Sequence, residues 1–89
     1  MNPVRYQVLF RPSAARQVRS LSGEVQRRII AKAESLAVNP RPHGCEKLRG
    51  PGDLWRVRVG DYRILYEIRD DVLMVLVVRI GHRREVYRG

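Results

Sequence analysis

Three arginines near the middle of the chain, Arg56, Arg58 and Arg63, have the chemistry to hold phosphate groups. A guanidinium group binds phosphate oxygens through paired hydrogen bonds, stays protonated at physiological pH and stacks on nucleobases. Side chains two residues apart on a strand point to the same face of a sheet. If this segment forms strands, the arginines line a surface suited to a polyanion, and RNA is the polyanion that the pattern favours.

A second group of candidate residues lies near the end of the chain. The segment Arg79–Arg88 contains four arginines together with His82 and Tyr87. Nearby positive charge favours the phenolate form of a tyrosine, which makes Tyr87 a candidate proton acceptor. Histidine is suited to acid–base work near neutral pH. A histidine beside arginines is more often a solvated loop residue, so His82 is the weaker catalytic candidate.

The two residues Gly60 and Asp61 predict a tight hairpin turn, and such a turn fixes how the flanking strands pair. In that register Arg58 faces Arg63 directly, and Arg56 lies two residues along on the same face. The opposite face is then aromatic and β-branched, as expected of a face that packs on a core. Its members are Trp55, Val57, Val59, Tyr62, Ile64 and Tyr66.

The opposed pair of arginines requires a reason. Directly opposed like charges destabilise a sheet by some tenths of a kcal/mol to about 1 kcal/mol. A solvated sheet face explains arginines in general, but not two placed opposite each other in a small domain with little stability to spare. The acidic side chain expected nearest to the pair is Glu67, four residues after Arg63. We therefore interpret the arrangement as a functional surface.

The remaining pattern predicts an α+β fold in one domain over residues 1–89, with two N-terminal helices on a mainly antiparallel sheet. The element order is β-α-α-β-β-β, and a fourth C-terminal strand is left open. Ser22 is expected to cap the second helix, which a proline after Asn39 ends. The predicted elements are a strand over Val4–Phe10, a helix from Pro12 to Leu21, a helix to Val38, a loop over Arg41–Asp53, and strands over Leu54–Val59, Tyr62–Ile68 and Val72–Ile80.

The charge balance points to an anionic partner. The chain has 18 basic and 9 acidic residues, a net charge of +9, and only two of the basic residues are lysine. A GC-rich genome would explain the arginine bias, whereas the net charge favours nucleic acid, an acidic protein or a membrane surface as the partner. The half beyond residue 44 is the less basic one, so any site there must depend on arrangement.

Several classes of protein are disfavoured. The single cysteine, Cys45, excludes an intrachain disulfide and fits a reducing compartment. The longest apolar run has seven residues, too few for a bilayer span, and the first ten residues contain no signal-peptide core. No residues have the spacing of a metal site or of a glycine-rich phosphate loop. We expect a cytoplasmic protein with no membrane contact, no metal and no cofactor.

Three stretches together resemble the RelE branch of the RelE/ParE toxin superfamily. They are residues 47–50, residues 54–66 and residues 78–87, and the resemblance extends over essentially the whole chain. It implies a ribosome-dependent mRNA endonuclease of a type II toxin–antitoxin system, whose partners are the 70S ribosome, mRNA and a RelB-like antitoxin. Toxins of this kind cut the codon in the ribosomal A site, and the attacking group is the 2′-hydroxyl of the RNA, without a metal.

The resemblance also implies roles for individual residues. Arg56 and Arg58 take two basic positions that clamp phosphate, and Arg63 stabilises the transition state. Arg83 stabilises charge or protonates the leaving group. Tyr87 stacks on a base or accepts the 2′-hydroxyl proton. Three further basic residues are expected to contact RNA: Lys47, Arg49 and Arg84.

One departure from the family pattern affects the mechanism. The family often has lysine where this chain has Arg56 and Arg58, and arginine is a poor general base because it does not lose its proton in proteins. Either Tyr87 accepts the proton, or positioning and charge stabilisation supply most of the rate.

Two rival functions stay open from the sequence. A ParE-type toxin resembles this fold but inhibits DNA gyrase and has no nuclease site. A non-catalytic RNA-binding module would protect RNA without cutting it. The basic helices from Arg16 to Lys32 have two candidate uses, which are contact with ribosomal RNA and binding of an acidic antitoxin segment.

Overall fold

Two helices pack on one face of a five-stranded sheet in the computed structural model, which describes residues 4–50 and 52–82. This arrangement confirms the predicted α+β fold. Neither helix in these ranges has the length and apolar character needed to cross a membrane. The elements are β1 (Gln7–Phe10), α1 (Pro12–Arg19), α2 (Gly23–Ser35), β2 (Glu46–Lys47), β3 (Leu54–Val59), β4 (Tyr62–Arg69) and β5 (Met74–His82).

The sheet has the strand order β1-β5-β4-β3-β2. Consecutive strands from β2 to β5 pair antiparallel. The first strand, β1, pairs parallel with β5, because the two helices connect β1 at one edge of the sheet to β2 at the other edge. This topology places β4 in the middle, between β5 and β3. The apolar strand β5 lies between β1 and β4, and the helices cover only one of its faces.

Local signals in the sequence account for both helices. Pro12 occupies the first turn of α1, where its missing N–H costs nothing. Ser22 caps α2 as predicted, with its hydroxyl accepting a bond from the Val25 N–H at 3.4 Å, and Glu24 lies in the positively polarised first turn. The core forms where the apolar stripes of the helices meet the sheet. Its residues are Ala14, Val18, Ile29, Ala33, Leu36, Val57, Ile64, Tyr66, Ile68, Val75, Val77 and Ile80.

Several element boundaries differ from the predicted ones. The helices end at Arg19 and Ser35, two and three residues early, and the last two strands extend to Arg69 and His82. The first strand begins at Gln7 and not at Val4, because the Tyr6 N–H bonds the Ala37 carbonyl at the end of the second helix. The last strand begins at Met74, because Leu73 takes a left-handed backbone conformation that closes the preceding turn. The predicted loop over residues 41–53 contains the two-residue strand β2, which is too short to show any periodicity.

One extra residue interrupts the pairing of β4 with β5. Tyr66 pairs with Val77, but the preceding residue of β4, Leu65, pairs with Arg79, so Val78 forms a β-bulge. Side chains alternate along a strand, and one inserted residue reverses which face each later side chain takes. The bulge brings Ile80 into the core, where 2% of its surface is exposed.

A polar clamp holds the loop between α2 and β2. The buried Tyr66 hydroxyl donates to the Pro40 carbonyl at 2.8 Å. Arg41 lies over the Trp55 ring, 5.1 Å from its centroid, and donates two hydrogen bonds to Asp70 at 2.8 and 3.2 Å. The Tyr6 hydroxyl donates to the same carboxylate. The clamp therefore joins the start of β1, this loop and the far end of β4.

We predict that the clamp makes stability depend on acid pH through Asp70. The hydrogen bonds from Arg41, and then from Tyr6, lower the pKa of Asp70 from its usual 3.8 to about 2. A carboxyl group whose pKa is lowered by folding stabilises the fold above its unfolded pKa, and that contribution is lost as the pH falls through its folded pKa. The free energy of unfolding should thus decrease between about pH 4 and pH 2.

Urea unfolding of the wild type and of Asp70→Asn over this range measures the effect. The variant should be less stable at pH 6 and should lose less stability on acidification. Asp71→Asn removes the neighbouring acid of the same turn and is the matched control, which should retain the wild-type pH dependence. Equal pH dependence of Asp70→Asn and the wild type would contradict the prediction.

Candidate active site

The face of the sheet opposite the helices carries the predicted arginines. In the pairing of β3 with β4, Arg58 faces Arg63, and Arg56 faces Leu65. Gly60 adopts the positive φ of 60° that a primed two-residue turn requires. The predicted register is confirmed, and it places all three guanidinium-bearing side chains on one side.

Arg63 is held more firmly than an ordinary surface arginine. Only 7% of its surface is exposed, and it is the one buried charged residue in the part of the chain that the structure describes. Its neighbour across β5 is Gly81, which has no side chain and leaves room for the long arginine. A cation in partly desolvated surroundings attracts an anion more strongly than one in bulk water. Of the three arginines, the buried Arg63 is therefore the one whose surroundings most strengthen its attraction for an anion.

A cavity of about 320 Å³ opens between β2, β3 and β4. Its polar surface combines three cations with one carboxylate, and its size suits a phosphate group with part of a sugar. Arg58 is oriented at the rim by a hydrogen bond from its Nε to the Gly60 carbonyl at 2.9 Å. The lining residues are Gly44, Glu46, Arg56, Arg58 and Arg63.

Glu46 is the member of the site that the sequence analysis missed. It faces Arg56 across the β2–β3 pair, and its Oε2 lies 2.7 Å from the Arg56 Nη2. The Glu46 side chain is 63% exposed, whereas the Arg56 side chain is 19% exposed, so the carboxylate stays accessible at the mouth of the cavity. A two-residue strand inside a loop rich in glycine and proline gives no pattern from which this pairing could be found.

Glu67 does not take the place expected of it. Its carboxylate lies 3.4 Å from Arg11 and 3.6 Å from Arg69, and both contacts are at the other end of the sheet. Within the described ranges, the carboxylate that lines the cavity beside the arginines is that of Glu46.

His82 lines a different cavity from Arg56, Arg58 and Arg63. His82 pairs with Tyr62, and the two rings meet edge to face with their centroids 5.6 Å apart. Together with Gln17 and Ser20, both rings line a cavity of about 220 Å³ beside α1. This cavity opens on the helix side of the sheet, so the described geometry gives His82 no place in the arginine cavity.

The other predicted site residues lie outside the cavity or outside the described ranges. Lys47 is exposed, and its Nζ lies 3.5 Å from an Asp53 oxygen. Arg49 is exposed in the loop before β3. Neither lines the arginine cavity, although both lie on the approach to β3. Three predicted residues fall in the segment beyond position 82 that is not described: Arg83, Arg84 and Tyr87.

Comparison with protein families matches residues 8–87 to the family described as the ParE toxin of the type II toxin–antitoxin system parDE. Among curated proteins, the chain is similar to toxin RelG of Mycobacterium tuberculosis. The identity is 30% over 84 residues, which cover 93% of this chain and 97% of that protein. It is also similar to the mRNA interferase toxin RelE of Escherichia coli, with 29% identity over 82 residues that cover 88% of this chain and 85% of that protein.

The fold has close matches among solved structures. The toxin in the archaeal RelE–RelB complex of Pyrococcus horikoshii superposes with a TM-score of 0.80 at 27% identity, over 89% of this chain and 96% of that one. The match therefore extends over most of both chains.

We predict that the opposed arginines lower the stability of the unliganded protein. Arg58→Gln should raise the free energy of unfolding by on the order of 0.5 kcal/mol at low salt, because it removes a like charge facing Arg63. The gain should shrink as salt screens the repulsion.

Arg56→Gln is the matched control for this measurement, because the same substitution there removes an attractive contact with Glu46. It should leave stability unchanged or lower it. Urea unfolding at 20 and 500 mM salt provides the comparison. The idea fails if Arg58→Gln destabilises the protein as much as Arg56→Gln does at low salt.

Proposed function

This chain belongs to the RelE/ParE family of type II toxin–antitoxin toxins, and on that premise we propose that it is a ribosome-dependent endonuclease that cuts mRNA in the A site. The observation that supports the proposal is the cavity with the buried Arg63 beside Arg56, Arg58 and Glu46. Two of the curated relatives are named mRNA interferases. A target on the ribosome implies a cytoplasmic protein.

The chemistry requires charge stabilisation and two proton transfers. The 2′-oxygen of the RNA attacks the neighbouring phosphorus, the bond from phosphorus to the 5′-oxygen breaks, and a 2′,3′-cyclic phosphate is left. Negative charge develops on the phosphorane oxygens, and preorganised guanidinium groups stabilise it without rearrangement. Arg56 and Arg58 hold the phosphate, while the buried Arg63 faces the developing charge.

Glu46 is the group in the cavity that can accept the 2′-hydroxyl proton. An ionised carboxylate has lone pairs that can accept a proton, whereas arginine keeps its proton and has none to offer. Its 2.7 Å contact with Arg56 sets its position beside the phosphate-binding groups. Tyr87 is the alternative acceptor and Arg83 the proposed donor for the leaving 5′-oxygen, both from the family resemblance. We favour Glu46 because it lies in the cavity.

The partners follow from the family and from two further surfaces. RelB is the antitoxin in the solved complex of the archaeal relative, and we propose a RelB-like antitoxin for this chain. A groove of about 290 Å³ between β1 and the two helices combines apolar residues with Arg19, which suits an amphipathic acidic segment. The groove is lined by Phe10, Ala15, Val18, Arg19, Gln26 and Ile30. The exposed Arg16, Arg27 and Arg28 remain for ribosomal RNA.

Inhibition of DNA gyrase is the second candidate function. The matched family is named for the ParE toxin, and a ParE-type toxin would act on gyrase. That activity requires no cluster of arginines around a buried Arg63, so the cavity favours the nuclease. Accumulation of cleaved DNA by purified gyrase in the presence of the protein would support the second function.

We predict that Arg63→Ala lowers the rate of mRNA cleavage by roughly 10²–10³-fold, the usual cost of removing one preorganised charge-stabilising group. The substrate is mRNA bound to 70S ribosomes, and its 3′-ends are mapped with and without ribosomes. Arg69→Ala, which removes a cation from the distant end of β4, should cut at nearly the wild-type rate. Thermal unfolding followed by circular dichroism shows whether each variant is folded. An unchanged pattern and rate of cuts by folded Arg63→Ala would refute the assignment.

We predict that Glu46→Gln lowers kcat by roughly 10²–10⁴-fold, the range for loss of a general base. Binding of RNA should not weaken, because the substitution removes a negative charge from a basic cavity. The rise of kcat with pH on the acidic side of the profile should disappear in the variant. Tyr87→Phe provides the comparison. If that variant and not Glu46→Gln loses the pH dependence, the phenol is the base.

A further inference from the structure

The β-bulge at Val78 decides which side chains of β5 face the arginine cavity. Before the bulge, Tyr66 pairs with Val77, and after it Leu65 pairs with Arg79. In an uninterrupted ladder, Leu65 would face Val78, and Arg79 would face a core residue. The extra residue reverses the alternation, so Arg79 lies on the open face. Bulges beside functional sites commonly redirect a side chain in this way.

Arg79 thereby joins a row of side chains that runs across three strands. Arg56 of β3 faces Leu65 of β4, and Leu65 faces Arg79 of β5. Two interstrand spacings separate the backbones of the two arginines by about 10 Å. Leu65 lies between them, and the cavity around Arg63 does not include Arg79. The row therefore places a second cationic position on the far side of Leu65 from the cavity.

The environment of Arg79 is suited to an anion from outside the protein. The ion pairs formed within residues 4–50 and 52–82 do not include it. On the same face of β5, two residues further along, lies Gly81, which adds no side chain between Arg79 and Arg63. Among residues 4–50 and 52–82, no side chain of β5 thus stands between Arg79 and the cavity around Arg63.

We propose that Arg79 binds a backbone phosphate adjacent to the scissile one, so that the RNA crosses the sheet from β3 to β5 over Leu65. The proposal rests on the proposed nuclease function and adds the direction of the RNA and a second phosphate subsite. A contact away from the reacting phosphate contributes to binding and not to the chemical step. Arg79 is on this view a binding residue and not a catalytic one.

The test uses ribosomes programmed with synthetic mRNA in which one phosphodiester at a time, on either side of the cut, is replaced by a neutral methylphosphonate. For the wild type, KM should rise on the order of tenfold for one neighbouring linkage and not for the other. Arg79→Ala should show that raised KM with the ordinary mRNA, with little change in kcat, and should show no further rise with the neutral linkage. The slope of log KM against log salt concentration should decrease by about one in Arg79→Ala, as expected for the loss of one phosphate contact.

Two variants serve as controls. Arg79→Lys keeps the charge and should recover most of the wild-type KM. Arg69→Ala removes one cation from the same face of the sheet, about 13 Å along β4 from Leu65, the residue that pairs with Arg79. This variant should match the wild type with every substrate. Arg69→Ala shows what loss of one positive charge does by itself, and Arg79→Lys shows whether a charge at position 79 is sufficient without the arginine side chain.

The outcomes distinguish the inference from the function on which it rests. The inference is overturned if Arg79→Ala behaves like Arg69→Ala, if it lowers kcat and not the affinity, or if it retains the full effect of the neutral linkage. If the wild type cuts no mRNA on ribosomes, the proposed function itself fails, and the phosphate subsite fails with it.

Discussion

The register of β4 against its two neighbours is the constraint on which the rest of the structure depends. On one side a two-residue turn at Gly60 fixes the pairing with β3, and on the other the bulge at Val78 fixes the pairing with β5. Since successive side chains alternate between faces, a slip of one residue would turn Arg63 toward the helices and Ile64 toward solvent. The core and the arginine cavity are thus specified by the same hydrogen bonds.

The charges around the cavity have a cost that the other end of the molecule helps to offset. Arg58 directly opposes the buried Arg63, and like charges opposed in this way disfavour the folded state of a small domain. At the opposite end, Arg41 and Asp70 form a paired clamp with a stacked aromatic ring. Proteins commonly keep unfavourable local arrangements at functional sites and compensate for them with favourable contacts elsewhere.

The sequence was sufficient to predict the features that depend on local chemistry. The serine cap, the turn at Gly60 and the pairing of Arg58 with Arg63 follow from neighbouring residues, and all three are found. The bulge could not be predicted, because Val78 is one of several similar apolar residues and only the competition between core packing and strand pairing selects it. The position of Glu46 likewise depends on pairing with a distant strand, which a two-residue segment does not announce. The face of the sheet on which His82 lies depends on the same bulge, so it could not be predicted from the sequence either.

The position of Glu46 depends on contacts that lie on the other side of the sheet. The loop that leads to β2 is held by the buried bond from Tyr66 to Pro40 and by the pair of Arg41 with Asp70, both remote from the cavity. The burial that raises the pKa of Tyr66 also keeps its hydroxyl protonated as a donor to that loop. A β2 strand of two residues has too few ladder bonds to hold its own place. The proposed proton acceptor, Glu46, is therefore positioned by the core and the clamp as well as by its contact with Arg56, whereas the cations are positioned by the hairpin. Because the loop supports Glu46 more than it supports the cations, we expect that loosening it would impair the proposed proton transfer more than the binding of phosphate.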